Sequence, residues 1–327
     1  MTGYLLRRLF ALLPVLLWIT LISFGIMHLA PGKPTDAAMQ LNPKVSLETR
    51  QRMERLYGLD RPLHQQYLTW VARVSRLDFG RSFLDDRPVA EKIVERLPVT
   101  LTINLWSLLV VLAITIPLGV LAAVYPEGLF DRLTTVFVFI GYAVPSFWLA
   151  LFCMTLFGVQ LQWLPISGLH SLDYESFSWL HRWLDTARHL LLPIGIAAFG
   201  SLAGLSRYMR SAMIEVLGQD YIRTARAKGL AESVVLFRHG LRNALLPVIT
   251  ILGLSLPDLI GGSVIAETIF SIPGMGRLFY EAVMARDYPV VMALVTVGAV
   301  LTLLGNLLAD VAYAYADPRI RVGTSAR

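Results

Sequence analysis

Ser255, Asp258 and Glu267 are the side chains whose type and placement open chemistry in this chain. Asp258 stands in LSLPDLIGG, well inside an apolar run. A carboxylate near the centre of a bilayer costs about 2.5–3.5 kcal/mol on insertion scales, so such groups usually face a polar interior and serve a function there. Pro257, just before it, can break a helix and leave backbone groups open to a polar partner. Two readings of Asp258 stand side by side. It lines a path and touches a solute, or it makes a structural hydrogen bond nearer the interface. Ser255 would be a nucleophile only with a base such as histidine facing it, and the last apolar run contains no histidine. Asp258 or Glu267 would be the coupling group of a transporter driven by an ion gradient. Glu267 can also pair with Arg277, but an exposed pair is worth little.

Other chemistries lack their residues. The four lysines are Lys33, Lys44, Lys92 and Lys228, and none sits in G-x-x-x-x-G-K-[ST]. A phosphate-cradling loop needs that lysine, so no ATPase site and no catalytic residue is expected here. There is no H-E-x-x-H, and the six histidines do not cluster with zinc spacing, so no metal site is expected. The single cysteine, Cys153, lies in an apolar run and reads as a small core residue.

The elements around these residues are mostly membrane spans. The chain has 327 residues, of which 55% are hydrophobic and 16% charged, and its mean hydropathy is +0.59. A span needs about 20 mainly apolar residues. Six such runs occur, at roughly 9–30, 98–124, 133–159, 190–211, 244–266 and 289–313. The first follows Arg7 and Arg8 but is longer than a signal core and lacks a small-x-small cleavage site, so it reads as a retained span. The expectation is one all-α integral membrane domain over 1–327. Arg7, Arg8, Arg132, the basic residues of the 220–247 segment, Arg319, Arg321 and Arg327 then lie on one side. Arg182, Arg188, Arg277 and Arg286 lie in the short loops of the other. That bias puts both termini in the cytoplasm. The net charge of +6 is therefore a topology signal; no nucleic-acid-binding module is visible.

Asp220 to Pro247, DYIRTARAKGLAESVVLFRHGLRNALLP, is a polar interruption between apolar runs. Asp220 can cap a helix start, and Gly229 can close it in the left-handed conformation. Ile222, Ala225 and Tyr221 give that helix an apolar side. Two turns are marginal alone in water, so the helix needs a docking surface, and a helix in a partner's groove is a common recognition mode. The bland alternative is a basic loop facing anionic lipid. Outside, 31–97 reads as a helical insertion. Ser46 can cap a helix to Tyr57, with Gly58 as its stop; Leu63, Tyr67, Trp70, Val71 and Val74 recur at helical spacing; Asp86 and Pro88 start a further helix. Pro273, Gly274 and Gly276 argue a tight turn in a later outside loop.

Tyr221-Ile222-Arg223-Thr224-Ala225-Arg226-Ala227-Lys228-Gly229 and His239-Gly240-Leu241-Arg242-Asn243-Ala244 resemble the cytoplasmic loop of ABC importer permeases. The dipeptide/oligopeptide/nickel subfamily is the closest match, and YGLDRPLHQQYLTW, RLPVTLTIN, AETIFSIPGMGRLFYEAVMARDYP and NLLADVAYAYADPRIR resemble its B-type transmembrane subunit. Three departures stand out. Arg223 and Thr224 replace the first two residues of the general E-A-A-x-x-x-G signature, His239 and Arg242 replace the Ile and Pro of its I-x-L-P ending, and Leu77 stands where the subfamily usually has glycine. The resemblance implies a type I importer permease fold of six transmembrane helices, with a cytoplasmic coupling loop at 212–243. It implies ATPase coupling through Asp220, Tyr221, Ile222, Thr224, Ala225, Ala227, Lys228 and Gly229. Asp258, Ser255 and Glu267 would then be candidates for the translocation path. The implied partners are a homologous C-type permease, two ATP-binding subunits, an extracytoplasmic substrate-binding protein and membrane lipid. ATP and Mg2+ would sit on the partner subunits, and this chain would bind no cofactor. The implied location is a bacterial inner membrane and the implied cargo is short peptides or peptide-like solutes. The ion-gradient transporter is the alternative.

Overall fold

The computed structural model describes residues 2–29, 54–55, 58–255 and 258–316. Among them all regular structure is helical, apart from one isolated bridge between Arg81 and Pro88. Residues 46–53 and 56–57 of the expected Ser46–Tyr57 helix, Pro257 and the Asp317-Pro318-Arg319 stop lie outside the described residues. Gly58 is described, and its φ of +68° suits a chain reversal.

The helices run in order α1 (Thr2–Leu29), α2 (Leu63–Val74), α3 (Val89–Val124), α4 (Leu129–Ala143), α5 (Ser146–Cys153) and α6 (Trp179–Leu217). They continue as α7 (Asp220–Ala227), α8 (Arg242–Leu254), α9 (Asp258–Gly261), α10 (Val264–Ile269), α11 (Met275–Ala285) and α12 (Tyr288–Ala316). Two π-helical turns, Met154–Gln160 and Val235–Leu241, extend α5 and lead into α8.

Five described helical segments are long and apolar enough to cross a membrane, or six if the bent α4–α5 pair is one span. That pair departs from the single straight span expected over 133–159, since it bends by 98°. Pro145 is the cause. It disfavours helical backbone at Val144, which is extended at φ −86° and ψ 118°. The expected run 244–266 is also divided: α8 ends at Leu254, and α9 and α10 follow as short pieces around Gly262 at φ +71°. The fourth run is longer than expected. At 1.5 Å per residue, the 39 residues of α6 reach about twice the thickness of a hydrocarbon core.

The chain divides into two compact units. One comprises Met1–Thr100, Ile260–Val264 and Pro273–Arg327. Here α12 packs on α1 and α11, around Val89, Ile93, Met275, Leu278, Ala282, Val290 and Leu294. Gly276 is required: a Cβ would come within 2.6 Å of the Val264 backbone nitrogen. α2 forms as its spacing predicts and is tied to α1, with the Tyr67 hydroxyl 3.0 Å from Thr20 Oγ1 and His28 Nε2 3.3 Å from Gln66 Oε1. A buried knot holds the 80–88 loop to the α11–α12 turn. Asp287 accepts from the Ser82 hydroxyl and from the Phe83 N–H at 3.0 Å. Lys92 Nζ donates to Ser82 Oγ at 3.1 Å and to Asp85 at 2.8 Å. Partial burial pushes the Asp85 carboxyl up, but the bonds from Lys92 and Ser82 outweigh it and hold the group below its ordinary value.

The other unit comprises Leu101–Leu259 and Ile265–Ile272. α6 is its axis, flanked by α4, α5 and α8. Its core includes Val111, Val120, Ala198, Leu202, Leu205, Met209, Met213, Ala244 and Val248. Small residues do allow close approach at some positions. A Cβ on Gly119 would sit 2.6 Å from Met209 side-chain atoms, and one on Gly204 would sit 2.8 Å from the Tyr142 hydroxyl. Gly195 and Gly200 have open space beside them instead, so close packing does not account for these two.

Candidate functional site

Two groups of residues form the site: the short helix α7, and the broken end of the fifth apolar run. α7 starts one residue earlier than its capping signal suggests. Gln219 is the N-cap, and Asp220 lies in the first turn without a side-chain capping bond. Its carboxylate still complements the positive end of the helix dipole, and Arg223 Nη1 is 3.3 Å from it. Gly229 closes the helix as expected, at φ +76°. The Gly229 N–H donates to the Arg226 carbonyl at 2.9 Å and the Leu230 N–H to the Ala225 carbonyl at 3.4 Å. That paired pattern is a Schellman motif.

The two faces of α7 have different neighbours. Ile222 is fully buried and Ala225 is 6% exposed. Both pack with Val235 of the π turn and with Leu217 at the end of α6. The apolar docking surface that so short a helix needs is therefore supplied by this chain. Tyr221, Thr224, Ala227 and Lys228 remain exposed, and they are the surface open to a partner. Arg226 pairs with Glu232 at 2.6 Å; that hydrogen bond raises the arginine further above its already high pKa. Behind the helix, the π turn brings Gly240 against α6, where a Cβ would meet Met213 Cε at 2.8 Å.

At the broken run, Ser255 donates its hydroxyl to the Leu252 carbonyl at 3.1 Å. That is the backbone bond of a helix-terminal serine, not the geometry of an activated nucleophile. Asp258 is exposed, and its N–H donates to the Ser255 carbonyl at 3.0 Å. Glu267 is 3% exposed, so its carboxylate is not open to a passing solute in this conformation. Arg277 engages Glu281 at 2.7 Å. Sequence reasoning missed Asn104, which reads as an interfacial residue near a span end. Its side-chain amide donates to the carbonyls of Asp258 at 3.1 Å and Leu259 at 2.8 Å. Lipid offers such carbonyls no partner, and Asn104 supplies one. An amide inside one apolar run and a Pro-Asp pair inside another were the available signal. No cluster of three His, Cys, Asp or Glu side chains able to hold a metal ion occurs among the described residues.

Comparison with known proteins gives a consistent answer over nearly the whole chain. The profile described as binding-protein-dependent transport system inner membrane component matches residues 115–322. A companion profile for the N-terminal part of such components matches residues 1–104. The oligopeptide transport system permease protein AppB of Bacillus subtilis is 47% identical over 321 residues, covering 98% of this chain and 99% of that protein. A putative peptide transport system permease protein of Brucella abortus is 40% identical over 321 residues, with the same coverage. The dipeptide transport system permease protein DppB of Escherichia coli is 37% identical over 337 residues, again covering 98% and 99%.

Proposed function

The chain belongs to the family of binding-protein-dependent transport system inner membrane components, and on that premise we propose that it is the B-type transmembrane subunit of an ATP-driven importer of short peptides. The observation that carries the cargo class is the match over 98% of the chain to permeases named for oligopeptide and dipeptide transport. The ion-gradient alternative finds no support in these relatives.

In this reading the chain is a multi-pass subunit of the bacterial inner membrane with both termini in the cytoplasm. It pairs with a homologous C-type permease, and two separate ATP-binding subunits hold ATP and Mg2+ and carry out the hydrolysis. An extracytoplasmic binding protein delivers the cargo. α7 is the coupling helix. Its buried face, Ile222 and Ala225, fastens it to Leu217 and Val235, so that a push on α7 moves the end of α6. Its exposed face, Tyr221, Thr224, Ala227 and Lys228, meets the ATP-binding subunit. Asp220 lies in the first turn of the helix and Gly229 closes its end. Arg226 and Glu232 brace it from the side. Asp258 lines the path, where a carboxylate suits the free ammonium of a peptide. Ser255 and Glu267 stand beside it along the chain, and Glu267 becomes accessible only if the conformation changes.

Uptake of a labelled peptide pool into vesicles carrying the whole assembly tests this. Transport that needs internal ATP and survives a protonophore supports the proposal. Transport that needs only an ion gradient overturns it.

A further inference from the structure

The cytoplasmic ends of α3, α4 and α6 enclose a cavity of about 310 Å³. Two arginines line it, and their situations differ. Arg210 is engaged by Asp131 through two bonds, at 2.5 Å to Oδ1 and 2.6 Å to Oδ2. Asp131 is 5% exposed and also accepts from the Glu127 N–H at 2.9 Å. That pair is saturated and contributes no net charge. Arg207, one turn deeper on α6, has no hydrogen-bond or ion-pair partner among the described residues and is exposed. The lining therefore carries one uncompensated positive charge. Beyond Arg207 the wall turns apolar, with Leu118, Val138 and Phe139 leading toward the Tyr142 ring. The adjoining outer face of α4 exposes Val136, Phe137 and Ile140 and is apolar as well.

We propose that this cavity binds one anionic phospholipid of the cytoplasmic leaflet, with its phosphate on Arg207 and part of one acyl chain along Leu118, Val138 and Phe139. An unpaired guanidinium at membrane depth calls for an anion. Basic pockets between spans on the cytoplasmic side accept anionic head groups. The apolar wall behind the charge suits an amphiphile and gives nothing to a free phosphate ion. Arg207 in the cytoplasmic half of α6 follows from the orientation proposed above, but the lipid measurement does not depend on transport, so the two readings fail separately.

The test is native mass spectrometry of the intact transporter assembly titrated with phosphatidylglycerol or phosphatidylcholine. A phosphatidylglycerol analogue photolabelled in its acyl chain maps the contact. One phosphatidylglycerol is expected to be retained in preference to phosphatidylcholine, cross-linked to residues 118–142. Arg207→Gln is expected to weaken it about fivefold, the contribution of one basic residue near a membrane surface, and Arg207→Lys to retain it. Thr135→Trp, which crowds the exposed side of the cavity and leaves Arg207 in place, is expected to weaken it as well. Equal retention by wild type and Arg207→Gln overturns the proposal. So does displacement of the lipid by excess inorganic phosphate, which would make the site one for a free anion. Loss of the second permease subunit from Arg207→Gln also overturns it, because Arg207 would then be a subunit contact.

Discussion

Tyr221 and Ile222 are neighbours in sequence but differ in burial, one exposed and one inside, and substituting each separates the two tasks of α7. Ile222 is fully buried, while Tyr221 is 44% exposed. Truncating a buried isoleucine to alanine costs about 2–5 kcal/mol. The cluster here is small, consisting of Ile222, Ala225 and Val235 with Leu217 against it, and it can partly collapse. The lower part of the range applies, about 2–3 kcal/mol. An eight-residue helix has little stability of its own, so nearly all of that loss appears as local opening. At a factor of ten per 1.4 kcal/mol, Ile222→Ala raises the open population of α7 roughly 30- to 150-fold. Tyr221→Ala removes only exposed surface and changes local stability by less than about 0.5 kcal/mol. Hydrogen exchange of the amides of residues 222–230 in the assembled transporter, read beside peptide uptake per ATP hydrolysed, distinguishes the two. Ile222→Ala is expected to accelerate exchange and lower the transport ratio together. Tyr221→Ala is expected to leave exchange unchanged and still lower the ratio. Wild-type exchange in Ile222→Ala would refute the intrachain docking of α7, and a wild-type ratio in Tyr221→Ala would refute the assignment of its outer face.

Other consequences concern groups elsewhere in the chain. Asp258→Asn is expected to reduce uptake of peptides with a free amino terminus while the ATP-binding subunits stay associated; equal uptake across substrates would return Asp258 to a structural role. Asp131→Asn removes the countercharge of Arg210, whose side chain is only 31% exposed. Breaking a buried pair costs about 3–5 kcal/mol, and partial exposure lowers this to about 2–3 kcal/mol; a thermal melt of the purified subunit with an unchanged midpoint would contradict it. His170 stacks on Tyr174 at 3.8 Å and has Thr186 Oγ1 3.1 Å from its Nδ1. Desolvation, helped by the charge of His189 and opposed by Asp185 and Glu175, pushes His170 below its ordinary value of 6.5. The loosened loop then takes up the proton first, so loop stability is complete above 6.5 and falls as pH drops through 6.5 toward the lower folded value. Hydrogen exchange over 168–177, corrected for intrinsic rates, should accelerate between about pH 7.5 and about pH 5.5, and His170→Gln should abolish the change.

What the sequence made legible follows from range. The apolar runs, the spacing of α2 and the Gly229 stop are local patterns, and each depends on residues within a turn or two. Local chemistry also carried the bend at Val144–Pro145, but run length alone hid it. The sequence shows that Ile222 and Ala225 need a cover without showing that Val235 and Leu217, rather than a partner, provide it. Asn104 reaches carbonyls 154 and 155 residues away, and Ser82 reaches Asp287 across 205. No periodicity records such pairings. The family strings were more specific than any single residue. They fix a constellation in chain order, and the permease relatives match the chain over nearly its full length.

The most direct test of the central claim is ATP hydrolysis by the reconstituted assembly of this chain, its permease partner and the ATP-binding subunits, with and without peptide-loaded binding protein. The account predicts hydrolysis that rises with loaded binding protein and loses that rise in Tyr221→Ala. A chain that recruits no ATP-binding subunit and still moves peptide down an ion gradient would contradict it.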